Sequence, residues 1–271
     1  MANSNLQLSV LTSLLVIIIW FPMNIKNIFG MSNGTGKMQK FGQHALVNSL
    51  VQQRLIASPR GIDAMKSVDR AAFIDDRFYN KMYAYADEPA PIGHGQTISA
   101  PHMHATVLEL LDAQLKPGHR VLDVGSGSGY LVAVFAKLVL PGGSVLGLEK
   151  VPELAQRSIS SIQAACPELA AEQGKGWRVE HGNALSEVTK KEDPFHAIHV
   201  GAAADELPRI LVDKLANGGR MVVPVGPRYT AQRLMTIDKD MDGRVHQRDG
   251  GLLVNYVPLT RPSELEDGYA P

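Results

Sequence analysis

The stretch Val121-Leu122-Asp123-Val124-Gly125-Ser126-Gly127-Ser128-Gly129-Tyr130 restricts the possible folds of this chain more than any other. An apolar run of strand character enters three alternating glycines and leaves into an apolar segment of helical character. Glycine reaches positive φ without a Cβ clash and lets a ligand lie against the backbone at a helix N-terminus. A strand, tight turn and helix of this kind form the first half of a βαβ unit, and the following sequence repeats the pattern. Residues 120–124, 144–149, 177–181, 197–200 and 220–225 read as strands, alternating with helices over 130–138, 152–166 and 206–215. Pro152 opens its helix where a missing N–H costs nothing. Residues 234–238 and 251–258 read as a late antiparallel pair across the turn at Asp242-Gly243. The expected class is α/β, a doubly wound and mostly parallel sheet with helices on both faces.

Upstream of this core, Leu46, Val47, Leu50, Val51 and Leu55 recur at helical spacing within 43–57, ended by Ser58-Pro59. A second short helix is expected over 62–68, an ordered loop over 79–95, and a helix over 101–115 that turns Val107, Leu108, Leu111 and Leu115 inward. Residues 1–40 read as a hydrophobic segment plus a Gly, Ser and Asn rich linker, and 41–271 as one domain.

Composition excludes several classes of function. With 45% hydrophobic and 20% charged residues the chain has the balance of a globular protein. Its 27 basic and 27 acidic residues cancel and form no basic stripe, so no nucleic-acid partner is expected. Cys166 is the single cysteine, which rules out an intrachain disulfide and fits a reducing compartment; no Cys/His spacing points to a metal.

The N-terminus stands apart. Leu8 to Met23 is nearly all apolar, a little short of the roughly 18–20 residues of a membrane span. No Lys or Arg precedes it and no Ala-x-Ala-like site follows, so it makes a poor signal peptide. Lys26, Lys37 and Lys40 lie after it and would keep the following domain cytoplasmic. A membrane anchor at 8–23, an apolar tail outside the fold, and an extension omitted by a start at Met31 all stay open. Asn33-Gly34-Thr35 is a glycosylation sequon that matters only in a lumen.

Spacing decides what the glycine turn holds. A dinucleotide fingerprint needs G-x-G-x-x-G, yet the sixth position is Tyr130 counted from Gly125 and Val132 counted from Gly127. There is no Gly-Lys-Ser/Thr ending either, which removes the P-loop. An acid two residues before G-x-G-x-G remains, and it resembles the first motif of class I S-adenosylmethionine methyltransferases. The resemblance implies that Asp123 handles the methionine amino group while Gly125, Gly127 and Gly129 accommodate the amino-acid end of S-adenosyl-L-methionine. The plainer reading has Asp123 capping a turn beside packing glycines. Glu149 ends the next strand at about the 20-residue separation of a ribose-binding carboxylate; alternatively it is an exposed residue opening the Lys150-Val151-Pro152 turn. At the third strand end, Asn183-Ala184, this class commonly has Asp accepting from the adenine amino group. Asn183 departs from that pattern, though its carboxamide can both accept and donate, and a turn asparagine is the alternative.

The segment Ile92-Gly93-His94-Gly95-Gln96-Thr97-Ile98-Ser99-Ala100-Pro101-His102-Met103-His104-Ala105 narrows the class. It resembles the substrate-side signature of protein-L-isoaspartate (D-aspartate) O-methyltransferases. Ala64-Met65 with Val68-Asp69-Arg70, the stretch His196 to Ala204, Gly218-Gly219-Arg220 through Pro227, and Tyr256-Val257-Pro258-Leu259-Thr260 agree with that family in the same order, from about 41 to 260. The resemblance implies a Rossmann-like methyltransferase fold with late antiparallel strands and N-terminal helices. It divides the domain into a helical and substrate-loop part (41–118), a cofactor-binding core (119–260) and a tail (261–271). It implies Ser99 as the active-site residue, Thr97 and Ile98 on the same loop, His104 near the cofactor, and Thr260 closing late over the site. It also implies isoaspartyl proteins and peptides as substrates, D-aspartyl sites as possible further acceptors, no metal, a monomer, and a methyl ester that collapses without enzyme to a succinimide.

Ser99, preceding Ala100-Pro101, is also a natural helix N-cap, and the two roles are expected together. His102 and His104 cannot share a helix face, and His196 and His199 read as strand-end residues rather than ligands. Tyr79, Tyr83 and Tyr85 read as packing or as a lid. A same-fold methyltransferase with another acceptor and a catalytically weak binding adaptor remain as alternatives. The N-terminal readings separate by fractionation: an anchor keeps the full chain in membranes through a mild salt wash, and release into the soluble fraction without detergent removes that reading.

Overall fold

A parallel sheet covered on both faces needs strands that are apolar at every position, and alternate strand residues here do face two separate cores. In the computed structural model, residues 42–186, 191–228 and 230–260 are described, all within a unit that begins at Phe41. A seven-stranded sheet runs in the order β5-β4-β3-β6-β7-β8-β9. Its strands are β3 (Arg120–Val124), β4 (Ser144–Glu149), β5 (Trp177–His181), β6 (Phe195–Val200), β7 (Leu215–Val225), β8 (Gln232–Lys239) and β9 (Val245–Val254). The first five are mutually parallel, and β8 and β9 are antiparallel additions. Val121, Val145, Ala197 and Val222 pack on one face, while Leu122, Leu146, Ile198, Met221 and Val223 pack on the other.

The first face is covered by helices α1 (Gln43–Gln52), α2 (Pro59–Ser67), α3 (Pro101–Leu111), α4 (Tyr130–Val139) and α5 (Pro152–Ala165). The second is covered by α6 (Arg209–Asp213) and loop residues such as Leu185, Leu207 and Leu259. Val132 to Ala136 of α4 are fully buried, including Phe135, because this helix lies between the sheet and the N-terminal helices.

Three local expectations change. The 79–95 loop contains a 3-10 turn at Lys81–Tyr83 and ends in a small hairpin, β1 (Ala90–Gly93) with β2 (Gln96–Ile98). Its strands are too short, and too interrupted by Pro91 and Gly93, to show a two-residue period. The helix expected over 206–215 shrinks to α6, because Pro208 delays its start and Leu215 already pairs with Phe195 in the sheet. Residues 216–219 then bulge out before Arg220 pairs with Ala197, so Asn217-Gly218-Gly219 interrupts a strand rather than closing a helix. Finally, β9 begins at Val245 and leaves the sheet after Val254, which frees 255–260 to travel elsewhere.

The apolar run at 8–23, the sequon at 33–35 and the tail at 261–271 lie outside the described residues. Among the described residues, no helix is long and apolar enough to cross a membrane.

Gly125, Gly127 and Gly129 have φ of 71°, 54° and 86°, so all three are left-handed. At Gly129 a Cβ would also meet Ser158 Cβ at 2.9 Å and Ile162 Cδ1 at 3.0 Å on α5. Gly174 has a similar φ of 82° with nothing within 4 Å of its Cβ position. Gly129→Ala is therefore expected to cost roughly 2–4 kcal/mol by denaturant midpoint, and Gly174→Ala about 1 kcal/mol. Equal losses would show that α5 moves aside freely and that only the backbone angle matters.

Candidate functional site

The order of the sheet reverses at β3, which has β4 on one side and β6 on the other. In such sheets ligands lie in the crevice beyond the carboxyl ends of the strands at the switch point. A cavity opens there, lined by Gly125 and Gly127 after β3, Glu149 and Lys150 at the end of β4, and Asn183 and Ala184 after β5. Gly201 and Ala202 after β6 complete its floor, and Thr97 and residues 257–260 enclose it.

The glycine turn is held by its neighbour. Gly125 N and Ser126 N both donate to Leu148 O, at 2.8 and 3.1 Å. Glu149 fixes the next part of the turn: its Oε2 accepts from Gly127 N at 2.9 Å and its Oε1 from Val151 N at 2.9 Å. Glu149 is thus buried and not the exposed turn residue that was the alternative. Burial raises its carboxyl above the ordinary value, and the two backbone N–H groups oppose that rise. Each oxygen spends one lone pair on the backbone and keeps another for a ligand hydroxyl.

Asp123 is also buried, and its Oδ1 accepts from His199 Nδ1 at 2.7 Å. The two residues are register partners on β3 and β6. His199, read from sequence as a mere strand-end residue, therefore orients the acid that precedes the glycine turn. The Cβ position of Gly129 points at Ser158 and Ile162 of α5, so the absence of a side chain there lets the turn and that helix pack closely.

Asn183 takes up the turn geometry that the sequence left open. Its Oδ1 accepts from Leu185 N at 2.8 Å, and its Nδ2 donates to Thr260 O at 2.9 Å. Thr260 Oγ1 accepts in turn from Lys150 Nζ at 3.0 Å.

The loop that bears Ser99 is fixed by a buried cation. Arg70, 1% exposed, donates from Nε to Ala84 O at 3.1 Å, from Nη1 to Ser99 O at 2.9 Å and from Nη2 to Glu88 O at 3.2 Å. Burial lowers its pKa to about 10, with Tyr130, Asp87, Tyr79 and Glu88 acting in the opposite direction, so it stays charged at neutral pH. Ser99 does not cap α3. The N-cap is Ala100, without a side-chain cap bond, and Asp87 Oδ1 instead accepts from His102 N at 2.8 Å in the first turn. Burial pushes the Tyr256 phenol up, and the nearby Ser99 hydroxyl acts against that rise. His104 stacks on Tyr130 at 4.9 Å between ring centroids, and burial holds it well below the ordinary imidazole value. Its Nδ1 is buried without a hydrogen-bond partner among the described residues.

Of the residues singled out from sequence, Thr97, Gly125, Gly127, Glu149, Asn183, Ala184 and Thr260 line one cavity. Ile98, Ser99, His104 and Asp123 sit behind or beside that lining. Arg70, Lys150, His199 and Tyr256 were not assigned from sequence. The signal for His199 was its place at a strand end level with Asp123, which becomes visible only once the two strands are known to be neighbours. Among the described residues, no group of three or more His, Cys, Asp or Glu side chains is arranged to hold a metal ion.

Comparison with known proteins identifies the family. The family model described as protein-L-isoaspartate(D-aspartate) O-methyltransferase matches residues 41–264. The chain is 43% identical to the protein-L-isoaspartate O-methyltransferase of Triticum aestivum, covering 86% of this chain and 96% of the relative. Against isoform 1 of that enzyme in Arabidopsis thaliana it is 44% identical, over 80% and 90% of the two chains. A Plasmodium falciparum protein, described as an isoaspartate methyltransferase and crystallised with S-adenosyl-L-homocysteine, superposes with a TM-score of 0.72 at 37% identity. That match covers 82% of this chain and 99% of the other.

Replacing Arg70 removes the donor from the carbonyls of buried Ala84, half-buried Ser99 and exposed Glu88, and a carbonyl left buried and unpaired costs about 1–3 kcal/mol. Arg70→Met is expected to lose about 2–3 kcal/mol of stability in denaturant titrations. A loss below about 1 kcal/mol would mean that water reaches those carbonyls once the side chain is gone.

Proposed function

Since the chain belongs to the protein-L-isoaspartate(D-aspartate) O-methyltransferase family, we propose the following division of labour among its residues in methylating the carboxylate of L-isoaspartyl residues in damaged proteins. The observation that carries it is the convergence of Asp123, Glu149 and the glycine turn on the carboxyl ends of adjacent strands, beside the loop that bears Ser99.

The cavity suits S-adenosylmethionine. Left-handed glycines let a ligand approach the backbone, Glu149 offers acceptor lone pairs to a ribose diol, and Asp123 offers a negative charge to an ammonium. When bound, the cofactor supplies an electrophilic methyl group on a sulfonium sulfur. His199 holds Asp123 in one orientation, so the ammonium site is set before binding. The acceptor carboxylate is already ionised at neutral pH and needs no general base. Ser99 orients that carboxylate by hydrogen bonding, with its own backbone fixed by Arg70 and the Tyr256 phenol near its hydroxyl. Backbone groups around Val200-Gly201-Ala202 take the isomerised peptide in extended form. Residues 256–260 exclude water from the cavity, and alignment of this kind contributes several kcal/mol to a transfer that needs no covalent intermediate on the protein. On this reading one chain holds the whole site and works as a monomer. The catalytic domain lies on the cytoplasmic side.

Label transfer from S-adenosylmethionine to paired peptides that differ only in aspartyl or isoaspartyl linkage tests the reading. Base-labile label on the isoaspartyl peptide alone is expected. Label on neither peptide, with S-adenosylhomocysteine still bound, would favour an adaptor or another acceptor. In the same assay Ser99→Ala should lower turnover at least tenfold with unchanged cofactor affinity, and unchanged turnover removes Ser99 from the chemistry.

A further inference from the structure

The stretch from Tyr256 to Thr260 bonds to residues that follow β4, β5 and β6. Its middle is fixed by the backbone, with Ala203 N donating to Val257 O and Leu259 N donating to Ala203 O, both at 2.8 Å. Its start is fixed by Tyr256 N donating to Gln232 Oε1 at 2.9 Å. Its far end, beside the cavity, has two side-chain bonds of a different kind. Asn183, following β5, donates to the Thr260 carbonyl at 2.9 Å, and Lys150, at the end of β4, donates to the Thr260 hydroxyl at 3.0 Å.

We infer that Asn183 and Lys150 are positioning residues that latch this strap over the cofactor cavity and set how fast the cofactor leaves, an inference that rests on the function proposed above. The carboxamide is assigned on both sides. Leu185 N can only donate, so it faces Oδ1, and Thr260 O can only accept, so it faces Nδ2. An ionised carboxylate at this position has no donor. It could keep the Leu185 bond, but its second oxygen would face the Thr260 carbonyl, acceptor against acceptor. The carboxamide that departs from the family's usual acid is therefore the group that closes the strap. Lys150 provides a second, independent anchor, and the Ala203 bonds keep the strap attached when either anchor is removed.

Asn183→Asp in the full chain separates the latch from a simple adenine acceptor, which a carboxylate would serve at least as well. At pH 8, S-adenosylhomocysteine is expected to leave the variant roughly tenfold faster than the unsubstituted protein, the loss of one hydrogen bond plus an opposed acceptor pair. Amide exchange over 256–260 in the cofactor-free protein should quicken as well. The deficit should shrink as pH falls toward the carboxylate range, because a protonated carboxyl regains an O–H donor. Glu149 and Lys150 face the same cavity and His181 ends the strand that precedes Asn183; their own titration is removed by taking the ratio to the unsubstituted protein at each pH. Lys150→Met should also speed release, with no recovery at low pH. Release from Asn183→Asp at an equal or slower rate, with unchanged exchange over 256–260, overturns the latch and returns Asn183 to the adenine. Failure of the unsubstituted protein to bind S-adenosylhomocysteine would sink the functional reading instead, while exchange in the cofactor-free protein would still judge the latch.

Discussion

With β4 on one side and β6 on the other, β3 is where the sheet's order reverses, so the loops leaving these strands part and leave a crevice at their carboxyl ends. The rest of the site depends on that crevice. The strands around it are apolar on both faces because helices and loops cover both. Polar side chains gather mainly at the strand ends, where the chain turns. Asp123 and Glu149 are buried in such positions, and each is held there by a specific donor: an imidazole for one, two backbone N–H groups for the other.

Burying carboxylates and a guanidinium is costly unless their hydrogen-bonding capacity is met. Arg70 meets this condition with three carbonyls rather than an acid, and in doing so ties Ala84, Glu88 and Ser99 together. A rigid planar fork suits that task, because its donors reach separate acceptors without reorganising. The loop carrying Ser99 is therefore positioned from below by charge, while Asp87 takes over the helix-capping duty and leaves the Ser99 hydroxyl to other partners.

The strap at 256–260 links the two halves of the site. Tyr256 reaches the Ser99 side, and Thr260 reaches the ends of β4 and β5. Because it is anchored at Ala203 in its middle, motion at its Thr260 end need not disturb Ser99.

The sequence by itself determined the alternation of strands and helices, the glycine turn with its preceding acid, and the acid ending the next strand. Those features are local: backbone angles, apolar periodicity and residue spacing are set by near neighbours along the chain. The short hairpin at 90–98, the bulge at 216–219 and the early start of β9 were not legible, because pairing partners rather than propensity define them. The same holds for the side chains that support the site. His199 meets Asp123 only because β6 lies beside β3, Arg70 meets Ser99 across 29 residues, and Asn183 meets Thr260 across 77. Contacts of that separation depend on strand order and on how the chain returns over the sheet. Only the tertiary structure decided that Asn183 lies between Leu185 N and Thr260 O, since a carboxamide's orientation follows from which donor and which acceptor it is set between.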